Sequence, residues 1–184
     1  MSPIVQEMDR RLQELATETE TMKGVLFKFV GSNSSEQFEK AAVSIYNLSE
    51  HLFEASEQLN DMQCQIVKYQ EAIARYNDNS YTFSAPNAHN VKKVQIDTDT
   101  NHFQFTHDEM VYVNQCIQKY TNDARDTIKH LKSNKESIGS IWKDPQYKDF
   151  SDFIDEIVSK TENSIAVLEE YSVYLARKIT ELKN

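Results

Sequence analysis

The side chains best suited to chemistry are scattered along this sequence. The five histidines are His51, His89, His102, His107 and His130. None stands at metal-ligand spacing with a cysteine or with a second histidine on one helix face, so structural or solvated roles are expected. The sequence also has no glycine-rich phosphate loop and no serine or cysteine in a nucleophile elbow. We therefore predict a protein that is not an enzyme and that uses no cofactor and no metal.

One stretch resembles a calcium-binding loop. Residues 97–101 (Asp-Thr-Asp-Thr-Asn) offer oxygen ligands, and Asp108 stands at the twelfth position of the loop, ahead of a helix. The sixth position, where glycine permits the sharp turn, is His102, and the eighth is the polar Gln104. We interpret the stretch as a polar turn and expect no calcium binding.

Composition and charge exclude several classes of partner. The net charge of −9 repels phosphate backbones and anionic lipid, so neither nucleic acid nor a membrane is an expected partner. No stretch approaches the ~20 apolar residues that a bilayer span needs. Cys64 and Cys116 are isolated, which favours a reducing cytoplasm over a disulfide framework. The first seven residues lack the features of a signal peptide, so we expect a cytoplasmic protein whose export would bypass the general secretory route.

Four runs of apolar residues at heptad spacing predict four helices. In chain order they cover residues 5–29, 38–76, 110–141 and 150–182. The last run carries a stripe wider than a two-position seam, which suits a bundle better than a free coiled coil. The predicted fold is all-α, with two antiparallel helical hairpins forming one elongated four-helix bundle.

The runs divide the chain into a first hairpin (1–76), a polar connector (77–106) and a second hairpin (107–184), which we expect to form one domain. The connector is long enough to carry the chain back along the bundle. It also holds apolar residues compatible with a small β-hairpin, a flexible linker being the alternative. These residues are Val91, Val94, Ile96, Phe103 and Phe105.

Capping sequences mark the predicted helix starts. Two capping boxes pair Ser34 with Gln37 and Thr106 with Glu109. Asp144 is placed to cap the fourth helix, with Pro145 at its first position. Between the third and fourth runs, Trp142 is the only tryptophan, and we expect it to be buried at the elbow as a large apolar plug.

An acidic stripe runs along the predicted second helix, on the face opposite its apolar seam. It consists of Glu50, Glu54, Glu57 and Asp61. A solvated helix face explains such a stripe, and a docking surface for a basic partner is the alternative.

The two halves of the chain have the same plan of helix, aromatic elbow and second helix. A shift of 112 residues places Leu26 on Ile138 and Phe38 on Phe150. A helical hairpin with Trp-x-Gly at the elbow and an aromatic residue shortly afterwards resembles the small WXG proteins, the early-secreted-antigen-like substrates of type VII secretion. Here the motif is split, because one elbow has Phe29 and Gly31 and the other has Trp142 and Asp144.

This resemblance implies binding residues at the two elbows, namely Phe29, Gly31, Phe38, Trp142, Asp144 and Phe150. It implies a targeting partner or substrate of a type VII system that binds another helical protein, such as a secreted toxin or a secretion-system component. Family members usually pair as single hairpins, whereas this chain carries two, so a self-homodimer is not expected. The family's export signal, Tyr-x-x-x-Asp/Glu, occurs only from Tyr46 to Glu50, early in a helix. A cytoplasmic structural or adaptor bundle unrelated to export is the alternative.

Overall fold

A computed structural model describes residues 3–33, 35–77, 85–96 and 104–183. Its four helices are α1 (Pro3–Phe27), α2 (Glu36–Tyr76), α3 (His107–Gly139) and α4 (Gln146–Lys183). The protein is therefore all-α, as the heptad runs predict. None of these helices contains a segment long and apolar enough to cross a lipid bilayer.

The helices form a square bundle in which each one contacts two neighbours. α1 packs against α2 and α3, and α4 packs against α2 and α3. The core is built from the heptad positions, with Leu12, Ile45, Ile117 and Ile154 fully buried in the four helices. Val158 and Ile165, which widen the stripe of α4, are also buried, so they face neighbouring helices of the same chain.

Side-chain contacts show that the two hairpins lie antiparallel. Along α2, Phe38 meets Tyr171 and Ser44 meets Ser164, so α4 runs backward as α2 runs forward. Phe29, two residues after α1, likewise meets Phe105, two residues before α3. The elbow between α1 and α2 (elbow 1, residues 28–35) and the elbow between α3 and α4 (elbow 2, residues 140–145) consequently lie at opposite ends of the bundle.

The helix caps follow the sequence with one correction. Thr106 and Glu109 form the predicted capping box at the start of α3. The Asp144 carboxylate accepts from the Gln146 N–H at 2.8 Å, so it caps α4 as predicted, although α4 begins one residue after Pro145. The sequence predicts Ser34 as the cap of α2, but the N-cap residue is Ser35, whose hydroxyl accepts from the Phe38 N–H. Ser34 lies outside the described residues.

Several seam positions are exposed, contrary to the heptad prediction. They are Tyr69, Ile73, Tyr76, Ile141 and Leu182. Most of them lie near the C-terminal ends of α2 and α4, and Ile141 lies in an elbow. The heptad pattern assigns residues to one helix face but does not show whether a neighbouring helix reaches that far.

The described part of the connector contains no strand. Residues 85–96 and 104–106 are irregular, so they do not form the predicted β-hairpin. Residues 85–96 instead lie along α1 and α2 and carry the chain back toward elbow 1, as the connector's length suggests. The calcium-like stretch, residues 97–101, and Phe103 lie outside the described residues.

Candidate functional site

Elbow 2 holds a cluster of three aromatic rings. The Trp142 ring lies 5.6 Å from the Phe150 ring and 5.8 Å from the Tyr147 ring, measured between centroids. Phe150 is buried, whereas Trp142 and Tyr147 are half-buried. Trp142 packs against the core at the bundle end, as predicted, and its burial is partial rather than complete.

Tyr147 fixes the geometry of this elbow. Its hydroxyl donates to the Lys135 carbonyl at 3.1 Å, across the turn from α4 to α3. The ring end lies so close to Gly139 that a Cβ there would sit 2.5 Å from the Tyr147 hydroxyl oxygen. A side chain at Gly139, the last residue of α3, would displace the Tyr147 ring, so glycine is favoured there. This glycine precedes Trp142 by three residues instead of following it by two. Sequence reasoning missed both Tyr147 and Gly139.

Elbow 1 is closed by contacts to the second hairpin. Phe38 is buried and packs edge-on against Tyr171 with centroids 5.8 Å apart. Asn33 donates to the Tyr171 hydroxyl at 2.9 Å, and Phe29 is buried against Phe105. Burial and loss of water raise the pKa of the Tyr171 phenol far above its ordinary value. Gly31 lies exposed in the turn.

The structure does not bring the six predicted binding residues together. Phe29, Gly31 and Phe38 lie at one end of the bundle, and Trp142, Asp144 and Phe150 lie at the other. Within each elbow, the buried aromatic residues hold helices together, and Asp144 serves as a helix cap. The two elbows therefore form two separate surfaces.

The groove between α1 and α2 holds a second candidate site, which we call the strap groove; the strap is residues 85–96. The strap lies in this groove as an extended segment. The polar residues of α1 and α2 beneath or beside it are buried. They are Asp9, Gln13, Glu20, Lys23, Ser56, Asn60 and Gln63.

At one end of the strap groove, Asn60 organises a network of amides around a buried carboxylate. Its side-chain N–H₂ donates to the Asp9 carboxylate at 3.1 Å and to the Asn87 carbonyl at 2.6 Å. Asn87 in turn donates to the Gln6 carbonyl at 3.0 Å. Gln13 also donates to Asp9, so the fully buried carboxylate is satisfied by amide donors.

Further along the groove, side chains of α1 bind main-chain N–H groups of the strap. The Gln13 side-chain oxygen accepts from the Asn90 N–H at 2.9 Å. The Glu20 carboxylate accepts from the Val94 N–H at 2.8 Å and pairs with Lys23 at 2.7 Å. Because these acceptors bind backbone N–H groups, this part of the groove recognises an extended chain more than particular side chains.

The acidic stripe of α2 has two different environments. Glu50 pairs with Lys93 of the strap at 3.1 Å, and Lys93 also lies 4.8 Å from the centroid of the Phe53 ring. The hydrogen bond to Glu50, followed by the charges of Glu50, Glu20 and Glu54, raises the pKa of the Lys93 ammonium. The remaining stripe residues, Glu54, Glu57 and Asp61, are exposed.

A sequence signal for the strap groove exists beside the apolar seams. Buried polar residues recur every seven positions at Ser49, Ser56 and Gln63, and again at Gln13 and Glu20. A polar heptad next to an apolar one indicates a second buried face. The strap that covers this face could not be recognised from the sequence, because a polar extended segment has no helical periodicity.

The described residues contain no cluster of histidine, cysteine and carboxylate side chains that could hold a metal ion. What the strap groove does provide is a set of hydrogen-bond acceptors and carboxylates that bind an extended, basic chain. No protein-family model matches the sequence, and no curated protein or solved structure is similar to it.

Proposed function

We propose that this protein is a WXG-like component of a type VII secretion system that acts by binding a helical partner, without catalysing a reaction. The proposal rests on the resemblance of its two aromatic elbows and on one surface of the structure. That surface is the C-terminal part of α2, where Tyr69, Ile73 and Tyr76 are 69%, 44% and 91% exposed. Their spacing of four and three residues places them on one helix face, the pattern with which a helix binds another helix.

The internal pairing of the hairpins supports a partner other than a second copy. Single hairpins of this kind need a companion to cover their apolar seams. Here α1 and α2 cover the seams of α3 and α4 within one chain, which leaves the exposed face of α2 for a different protein. The partner would be a secreted toxin or another component of the secretion system.

The export signal would come from that partner. A signal of this kind would be expected near the C-terminus, but Tyr171 there is followed by Leu175 instead of an acidic residue, and its side chain is fully buried and bonded to Asn33. The one match to the motif, Tyr46 followed by Glu50, lies within α2, and Glu50 is paired with Lys93. The lack of an accessible export signal at these tyrosines equally favours the alternative, a cytoplasmic adaptor or structural bundle with no role in export.

Export measured in a host with a type VII system separates the two functions. The tagged chain is quantified in the culture medium of the parent strain and of a strain lacking the system's ATPase. We expect export that depends on the ATPase and is lost when Tyr69 and Tyr76 are both replaced by Glu. Val173→Glu is the matched control, because Val173 is 71% exposed on α4 and outside the proposed surface. Retention of the chain in every strain would favour the adaptor.

A further inference from the structure

We propose that the strap groove is a binding site for an extended basic segment of a partner protein, and that the strap occupies it as an internal competitor. This inference concerns α1 and the face of α2 that holds the strap, and it does not depend on the proposed role in secretion. It arises from how the strap is held, from a comparison of the two hairpins, and from polar groups in the groove that the strap leaves unpaired.

The strap is held mainly by polar contacts. Val91 is its one buried apolar residue among the described positions, whereas Ile96 is 40% exposed. The groove's contacts to Asn90 and Val94 reach main-chain N–H groups, and its contact to Asn87 reaches a main-chain carbonyl. Another extended segment offers the same main-chain groups, so it can replace the strap when it also supplies an apolar side chain for the position of Val91, which packs in the core.

The second hairpin shows that this fold does not require a strap. The shift of 112 residues places Glu20 on Lys132 and Glu50 on Glu162. Lys132 and Glu162 pair directly across α3 and α4 at 2.7 Å, above an open groove of about 580 Å³. No described residue of the connector lines this groove.

The strap groove differs because both of its corresponding positions are acidic. Glu20 is paired with Lys23 of its own helix, and the strap supplies Lys93 to Glu50. Beyond Glu50, the exposed carboxylates of Glu54, Glu57 and Asp61 make the α2 edge of the groove acidic. Charge at this edge therefore favours a basic segment as the occupant.

Polar atoms in the groove remain without partners when the strap is bound. Glu20 is 1% exposed, and its Oε1 atom is buried with no hydrogen-bond partner in the part of the chain that the structure describes. Gln63 is 2% exposed, and neither its side-chain oxygen nor its nitrogen has a partner among the described residues. Buried polar groups are normally satisfied. The strap therefore leaves these groups of the groove open to a further hydrogen-bond partner.

A labelled peptide with the sequence of residues 85–96 tests the proposal by fluorescence anisotropy. It is titrated with the full chain and with a full-length variant whose strap is weakened by Asn87→Ala and Lys93→Ala, two changes outside the groove itself. The tethered strap competes at a high local concentration in the unmodified chain. We expect the peptide to bind the variant about tenfold or more tightly than the unmodified chain.

Matched substitutions in the strap-weakened variant locate the binding. Glu50→Gln should weaken peptide binding about two- to fivefold, as for loss of an exposed ion pair, whereas Glu162→Gln at the equivalent position of the second hairpin should leave it unchanged. Both side chains are partly exposed, so neither change threatens folding. A peptide with Glu in place of both lysines should not bind.

Three results would overturn the proposal: no saturable binding to the strap-weakened variant, equal binding to the variant and the unmodified chain, or equal weakening by Glu50→Gln and Glu162→Gln. The mass of the strap-weakened variant in solution decides between a partner and a second copy. A monomer supports a separate partner, and a dimer that exchanges straps contradicts it.

Discussion

The hydroxyl groups of Thr19 and Tyr120 lie 2.7 Å apart in the buried interface between α1 and α3. Thr19 uses its only proton to donate to the Leu15 carbonyl at 2.8 Å. Tyr120 must therefore be the donor of the bond between them. Burial raises the pKa of the Tyr120 phenol far above its ordinary value, so the phenol keeps this proton at all ordinary pH values.

This direction of donation predicts unequal costs for the two single substitutions. Tyr120→Phe removes this hydrogen bond, and the Thr19 hydroxyl oxygen then accepts no proton from α3 but still donates to Leu15. The change should lower the unfolding free energy by about 0.5–1.5 kcal/mol. Thr19→Val leaves the buried phenol proton with no acceptor, which costs about 1–3 kcal/mol. Urea denaturation measures both. The double variant should be more stable than Thr19→Val alone, and a double variant that is less stable would contradict the assigned direction.

Whether Gly139→Ala raises or lowers the stability of the chain should depend on Tyr147. An alanine normally stabilises a helix relative to glycine, but here its Cβ would displace the Tyr147 ring and its bond to Lys135. Gly139→Ala should therefore destabilise the chain by about 1–2 kcal/mol. In a Tyr147→Ala background, the same change should be neutral or stabilise by up to about 1 kcal/mol. A destabilisation of equal size in both backgrounds would show that Tyr147 is not the cause.

The two elbows differ in how much their aromatic residues stabilise the bundle. Phe38 is 2% exposed and fills the space beside Tyr171, so Phe38→Ala should cost about 3–5 kcal/mol. Trp142 is half-buried, so Trp142→Ala should cost less, about 1–3 kcal/mol. Circular dichroism during urea unfolding measures both variants without relying on the tryptophan. The opposite order would mean that elbow 2 is closed more tightly than its geometry shows.

His51 gives the bundle a pH-dependent contribution to stability. Burial, and then the charge of Lys160, lowers the pKa of His51 below its ordinary value of 6.5. The unfolded chain therefore binds a proton more readily than the folded chain, and His51 reduces stability as the pH falls through about 6.5.

We expect His51→Gln to lose less stability than the unmodified chain between pH 8 and pH 5.5. Glu18 has a raised pKa, mainly from burial, and its contribution has the opposite sign near pH 5. Comparing the two proteins at each pH cancels this contribution. Equal losses in the two proteins would show that His51 titrates alike in the folded and unfolded chains.

The heptad seams made most of the fold predictable. Each helix of the structure coincides with a run of apolar residues, and Thr106 marks the start of α3 through an ordinary capping box. Burial at the ends was less predictable, because Tyr76 continues the seam of α2 and yet is 91% exposed. A helix can extend past its neighbours without any change in its own pattern.

The candidate sites were harder to predict, for two physical reasons. Gly139 and Tyr147 are eight positions apart, and their contact depends on the turn between two helices rather than on either helix alone. The strap is held partly through the main-chain N–H groups of Asn90 and Val94, which residues of other types would also offer, and its side-chain contacts of Asn87 and Lys93 follow no periodic pattern. Glu50 was recognised as acidic surface, but only the structure shows that Lys93 pairs with it.

The central claim is that the two hairpins of one chain pair antiparallel, and a designed disulfide tests it most directly. Ser44 on α2 donates to Ser164 on α4 at 2.9 Å, so cysteines at these two positions would have their sulfur atoms close together. The substitutions are made together in a chain whose own cysteines, Cys64 and Cys116, are replaced by Ser. After oxidation, mass spectrometry and a non-reducing gel should show a disulfide within a single 21.4 kDa chain. A disulfide-linked dimer, or cysteines that stay free, would contradict the account.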